Sequence, residues 1–218
     1  MGIYIEAIIL YIVLFFSDSV FSTAGGTGET AGFSITAELA KIFIYSIPSL
    51  ALIWYLMLKT KPVRDWEIVP GKKDIIPGLI TLSGLLITGL VIAFISSYMS
   101  GPSAQVLLYS PSTPAGWIVL GLSLIIAAYT EESFFRFYLL ARRDEFKMNA
   151  TQALVFSVLL FSICHIYEGP WGFLNAALSG TFLCFIFLRY KSIHGISVAH
   201  GFYNIAIYLI NALTLTGV

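Results

Sequence analysis

The stretch GWIVLGLSLIIAAYTEESFFRFYLL, residues 116–140, decides the fold. Up to Thr130 it carries no charge, and it is longer than the about 20 residues a helix needs to cross a hydrocarbon core of about 30 Å. Glu131, Glu132 and Arg136 then break the apolar run. An ionised side chain at the centre of a membrane helix costs roughly 2.5–3.5 kcal/mol on insertion scales, so three together require partners and a purpose. The reading is therefore a membrane helix whose buried charges mark a site.

Comparable windows flank this one. Apolar stretches run over Gly2 to Phe21, Ala37 to Leu58, Ile75 to Met99, Ala115 to Leu140, Thr151 to Tyr167, Gly172 to Leu188 and Ile193 to Leu213. Open sheet edges cannot be satisfied in lipid, so about seven spans are predicted as helices of an all-α, polytopic transmembrane bundle. Composition agrees: 58% of the 218 residues are hydrophobic, 11% are charged and mean hydropathy is +0.87. Soluble domains carry about 25% charged residues. Residues 1–218 read as a single integral-membrane domain without repeats.

Net charge is zero, which gives no electrostatic case for nucleic acid. Ten of the 12 Lys and Arg residues lie in the second, fourth and sixth loops: Lys59, Lys61, Arg64, Lys72 and Lys73; Arg142, Arg143 and Lys147; Arg189 and Lys191. The positive-inside rule makes those loops cytoplasmic, the amino terminus inside and the carboxyl terminus outside, in a plasma (inner) membrane. Ser22, Thr23 and Ala24 resemble a signal-peptide cleavage site, but no Lys or Arg precedes the apolar stretch, so the first span is expected to be retained. Asp18, Glu38 and Lys41 are expected near the outer ends of their spans. His194 is expected to be solvated or capping, and the segment from Lys59 to Asp74, with Trp66, to rest at the interface.

Residues four apart share a helix face. Glu132 can therefore pair with Arg136, leaving Glu131, about 100° away around the helix, as the candidate general acid and base. His200 and Asn204 are likewise four apart on the last span, and His165 follows Phe161 by four on the fifth. A carboxylate, two imidazoles and an amide meet the needs of amide hydrolysis: deprotonating water, holding the oxyanion and protonating the leaving amine. Cys164 and Cys184 are expected to be packing residues. Adjacent helical positions point apart, so a dyad of Cys164 with His165 is not expected.

Glu131, Glu132 and Arg136 spell EExxxR, Phe161 and His165 spell FxxxH, and His200 and Asn204 spell HxxxN. This ordered set on three apolar spans resembles the CPBP family of intramembrane proteases, also called the Abi or CAAX-protease family, which includes Rce1-type enzymes. The resemblance covers roughly residues 117–207. Phe137 departs from the family's usual Gly after the arginine.

The resemblance implies a conical cavity open to the cytosol, in which Glu131 and His165 activate water while His200 and Asn204 bind the oxyanion. The expected function is an intramembrane endopeptidase with a catalytic set of Glu131, Glu132, Arg136, His165, His200 and Asn204, acting on a peptide or protein substrate in the lipid bilayer. A zinc enzyme is the alternative, with Glu131, His165 and His200 as ligands. The dispersal of those ligands over three helices, without a local HExxH pair, favours metal-free chemistry. The rival from another class is a non-catalytic immunity or scaffold protein of the same fold.

Overall fold

A computed structural model describes residues 2–15, 33–59, 68–100 and 110–215. The described residues form seven principal helices: α1 (Ile3–Phe15), α2 (Ile35–Leu58), α3 (Ile75–Ser100), α4 (Pro114–Leu140), α5 (Ala150–Ile163), α6 (Gly169–Tyr190) and α7 (Ile193–Leu215). Five of the helical segments, Ile35–Leu58, Lys72–Met99, Pro114–Leu140, Ile166–Tyr190 and Ile193–Thr214, are long and apolar enough to cross a membrane. α1 and α5 are shorter. The suspected cleavage site at Ser22 to Ala24, Asp18, and Lys61, Arg64 and Trp66 lie outside the described residues.

Local chemistry sets the boundaries. Thr113 accepts from the Gly116 amide at 3.2 Å and Pro114 opens α4 with a backbone already set for the first turn. Asn149 and Gln152 exchange side chain–backbone hydrogen bonds at 2.9 and 3.0 Å to start α5. α5 ends at Ile163, earlier than the expected Tyr167, because the chain turns at His165 and enters a short 3₁₀ turn, Ile166–Glu168. Gly169, at φ +80°, takes the left-handed conformation that closes this turn and launches α6 three residues before the expected Gly172.

α7 packs most extensively on α4 and next on α3, while α4 also packs along α2 and α5 along α6. Missing side chains permit the first two approaches. A Cβ on Gly201 would stand 2.8 Å from the Ile125 Cα, and one on Gly195 would stand 2.4 Å from the Asp74 carbonyl oxygen. Asp74 also accepts from the Gly71 amide at 2.8 Å and from the Ser192 hydroxyl at 2.5 Å, so the starts of α3 and α7 are tied together.

The second half of α4 is the centre of the bundle. Its last segment, Ser133–Leu140, is π-helical, and every one of its residues is buried. The i→i+5 ladder is seen in the Ala141 amide bonding the Arg136 carbonyl at 3.0 Å. Ser157 of α5 donates to the Phe135 carbonyl at 2.8 Å, and the Trp54 indole of α2 donates to Ser133 Oγ at 3.0 Å. Phe134 and Phe135 pack with Tyr11 and Phe15 of α1 and Tyr138 stacks on Phe134, ring centroids lying 4.8–6.3 Å apart. α2 has a π segment as well, Lys41–Ser46.

Beyond α4, Arg142 is bound by Glu145 at 2.7 Å and Glu6 at 3.4 Å, while the Tyr138 hydroxyl donates to Glu6 at 2.5 Å and the Tyr4 hydroxyl to the Phe146 carbonyl. These bonds pin the start of α1 under the α4–α5 turn. Glu38, rather than reaching a headgroup, accepts from Ser123 of α4 at 2.7 Å.

Candidate active site

Glu132 and Arg136 face each other across one turn, Oε2 to Nε 3.1 Å, with both side chains at 0% exposure. The arginine also donates to the Gly180 carbonyl of α6 at 3.3 Å, and its guanidinium lies 4.5 Å from the Phe161 ring centroid. Gly180 makes room for this: a Cβ there would sit 2.9 Å from Phe161 and 3.5 Å from Arg136 Nη2.

His200 approaches from α7. Its Nδ1 is 2.9 Å from Glu132 Oε1, so that carboxylate bridges arginine and imidazole. A carboxylate only accepts, which puts the proton on Nδ1 and turns Nε2 towards Glu131, whose Oε2 is 3.8 Å away. Glu132 thus orients His200 in the way that a carboxylate orients a catalytic imidazole generally. Glu131 Oε2 is buried and has no hydrogen bond among the described residues, although the side chain as a whole is 21% exposed.

That exposure is onto a cavity of about 110 Å³ bounded by Glu131, Thr130 and Ala127 of α4, Leu14 and Phe15 of α1, Lys41, Tyr45 and Ser46 of α2, and Cys164, His165 and Tyr167 at the α5–α6 junction. His165 therefore shares a space with Glu131 although it is not on a helix. Its Nδ1 lies 2.8 Å from the Phe161 carbonyl, an acceptor, so Nδ1 carries the proton and Nε2 keeps its lone pair. Phe161 lies 4.6 Å from the His165 ring and 6.2 Å from that of His200, a single spacer between the two imidazoles.

The structure therefore gathers Glu131, Glu132, Arg136 and His200 into one contact network and sets His165 across the cavity from Glu131. Asn204, half-buried one turn beyond His200, makes no side-chain hydrogen bond among the described residues and is not part of that network. The cavity sits at mid-depth in the bundle: Thr130 and Glu131 lie in the half of α4 nearer Arg142, while Lys41 and Tyr45 come from the half of α2 farther from Lys59.

Cys164 also departs from expectation. Because the helix has ended, its Sγ comes within 3.4 Å of His165 Nδ1. Both groups nevertheless donate to the same Phe161 carbonyl, the thiol at 3.0 Å, so the protonated Nδ1 cannot take the thiol proton and the pair is not an activated nucleophile. His194, far from being solvated, holds the Ile68 carbonyl through Nε2 at 2.8 Å, lies 3.3 Å from the Tyr129 hydroxyl and stacks on Trp54. Phe137 is buried against Trp54 at 5.3 Å between centroids.

The sequence model of the family described as type II CAAX prenyl endopeptidase Rce1-like matches residues 112–206. Over that segment the chain is similar to the Rce1-like, CPBP family. The matched segment includes α4 to the middle of α7 and so carries every member of the network. Comparison with curated proteins and with solved structures gave no match. With five helices among the described residues long and apolar enough to cross a bilayer, the chain is an integral membrane protein.

Proposed function

We propose that the chain is an intramembrane endopeptidase in which water held between Glu131 and His165 attacks a peptide carbonyl. The observation that carries the reading is the shared cavity. It brings a carboxylate oxygen without a hydrogen bond and an imidazole with a free Nε2 to one space, in a chain whose family description names an endopeptidase. Glu131 takes a proton from the water as the oxygen–carbon bond forms, and His165 Nε2 accepts the water's second hydrogen in a hydrogen bond. The carbonyl electrons move to oxygen. Glu131 then returns its proton to the departing nitrogen as the carbon–nitrogen bond breaks, leaving a new acid and a new amine.

His200 completes the charge balance. With two carboxylates and one guanidinium in the network, an imidazolium at His200 brings the buried cluster to neutrality, and its Nε2–H would face the developing oxyanion. Asn204 would act beside it. Glu132 and Arg136 hold the imidazole rather than touch substrate.

Zinc is the alternative that the resemblance raises. Among the described residues no three His, Cys, Asp or Glu side chains stand together around one point, which favours the metal-free reading. His200, bonded to Glu132 through Nδ1, would present Nε2 to an ion beside Glu131 and His165, and no step is routed through a metal.

The test is cleavage of fluorogenic peptides by purified protein in detergent. Removing a general base costs about 10²–10⁴-fold in rate, so Glu131→Gln is expected to lose at least 99% of turnover. His165→Ala should fall alongside it, and a chelator should leave the wild type unchanged. Undiminished turnover by Glu131→Gln overturns the mechanism, and chelator inactivation reversed by zinc replaces it with the metal-dependent version.

A further inference from the structure

We infer that His194 is a positioning residue: through the Tyr129 hydroxyl it fixes where α7 sits along α4, and thereby holds His200 against Glu132. Its effect on turnover rests on the protease reading; its effect on His200 rests on geometry alone.

α4 and α7 cross antiparallel, since Ile125 meets Gly201 and, farther along α4, Tyr129 meets His194, which lies farther back along α7. His194 and Glu132 are each seven residues from the Ile125–Gly201 crossing and on the same side of it, about 10.5 Å at 1.5 Å per residue. The imidazole therefore stands level with the buried carboxylate that orients His200.

The partners of His194 define its tautomer. The Ile68 carbonyl only accepts, so Nε2, at 2.8 Å, carries the proton, and the lone pair on Nδ1 takes the Tyr129 hydroxyl at 3.3 Å. The ring also stacks on Trp54 at 5.9 Å and 22°, and the Trp54 indole donates to Ser133. Tyr129 and Ser133 are four apart and share a face of α4. Glu131, midway between them in sequence, projects from the opposite side, about 200° around from Tyr129. α4 is thus gripped behind the face that carries its proposed base. Neither Tyr129 nor His194 borders the cavity, so neither touches substrate.

A directional bond matters here because the rest of this α7 surface is smooth. Gly195 and Gly201 let neighbouring backbones approach closely, which sets the spacing between helices and does little to resist sliding. Ser192 ties α7 to Asp74, ahead of α3, and Ser197 is spent on the Ile193 carbonyl of its own helix. A slip of about 1 Å would carry the 2.9 Å contact between His200 and Glu132 beyond hydrogen-bond range. Misplacement on that scale costs up to about 10²-fold in rate.

The test compares His194→Phe, which keeps a ring on Trp54 and loses both hydrogen bonds, with His194→Gln, whose amide can donate and accept, and with Tyr129→Phe. Leu85→Ala, at a buried position on α3, controls for lost stability. In the fluorogenic peptide assay, His194→Phe and Tyr129→Phe should lose about 10- to 100-fold in kcat with KM unchanged. His194→Gln should recover most of that loss, and Leu85→Ala should keep its kcat. The second readout is nitrogen NMR of protein carrying isotope-labelled histidine, in which the His200 Nδ1 signal, one of three imidazoles in the chain, is assigned by its loss in His200→Gln. That signal should shift in Tyr129→Phe and His194→Phe and stay in place in Leu85→Ala.

A kcat within about twofold of wild type in both Phe variants, or an unmoved His200 signal, overturns the proposal. So does an equal loss of kcat in Leu85→Ala, which would trace the effect to stability. If wild-type protein cleaves no peptide, the protease reading fails and the His200 signal alone decides positioning. If His194→Phe does not fold, Tyr129→Phe decides it.

Discussion

Substituting Arg136 with Met should unfold this bundle far more readily than its size change implies, because the loss leaves the buried Glu132 carboxylate with His200 but without its guanidinium partner. The pair stands at 3.1 Å with neither side chain exposed. At an effective dielectric of about 20, that separation corresponds to an attraction of about 5 kcal/mol, most of which repays desolvation of the two groups. Removing one partner forfeits the repayment and leaves the cost, so Arg136→Met is expected to lose about 3–5 kcal/mol. The hydrogen bond to the Gly180 carbonyl and the contact with the Phe161 ring go with it. Replacing both partners, Glu132→Gln with Arg136→Met, removes the stranded charge and should recover at least about 2 kcal/mol of that loss. The assay is reversible unfolding of purified protein in mixed detergent micelles, comparing both single variants with the double. Additivity within about 0.5 kcal/mol would refute the reasoning, since it would mean that the two groups do not depend on each other.

Three further outcomes follow from contacts described above. Gly201→Leu forces side-chain atoms against the Ile125 backbone, so α4 and α7 must separate; a loss of about 1–3 kcal/mol in the same unfolding assay should accompany loss of peptide cleavage as His200 is drawn from Glu132. Phe137→Ala should cost about 3–5 kcal/mol because the ring is buried against Trp54, and a cost below about 1 kcal/mol would show that the position needs no bulk. Trp54→Phe keeps most of the apolar contact but leaves Ser133 without its indole donor, an expected loss of about 1 kcal/mol measurable by the same unfolding.

The helices were legible because each apolar window is long, and because lipid leaves a polar backbone few alternatives. The pairing of Glu132 with Arg136 was legible for the same kind of reason: four-residue spacing survives the change from α to π geometry well enough to bring the groups together. The π segment itself was not legible. An i→i+5 ladder leaves no periodic mark when all the residues concerned are buried and apolar. Missing it hid the complete burial of Ser133–Leu140 and the roles of Ser157 and Trp54, which serve backbone and hydroxyl groups that a regular helix would present differently. His165 was placed on a helix because the apolar run continues through it, yet the chain turns there. That turn lets Cys164 approach a ring that adjacent helical positions would have kept apart. His194 was expected to be solvated or capping and Glu38 to lie near a span end, because sequence shows only nearness to that end. Their partners, Ile68 and Ser123, come from other elements.

The brevity of α5 bears on the surrounding lipid as well. At about 1.5 Å per residue its 14 residues reach about 21 Å, against a hydrocarbon thickness of about 30 Å, and Val155, Leu159 and Ile163 present an apolar flank to the acyl chains. Acyl chains beside that flank must compress or tilt, which draws headgroups and their hydration down towards the turn bearing His165. Hydrophobic mismatch of this kind makes the membrane a participant: thicker bilayers oppose the dimple, thinner ones relieve it, and acyl-chain length becomes a control on how readily solvent meets the buried carboxylate.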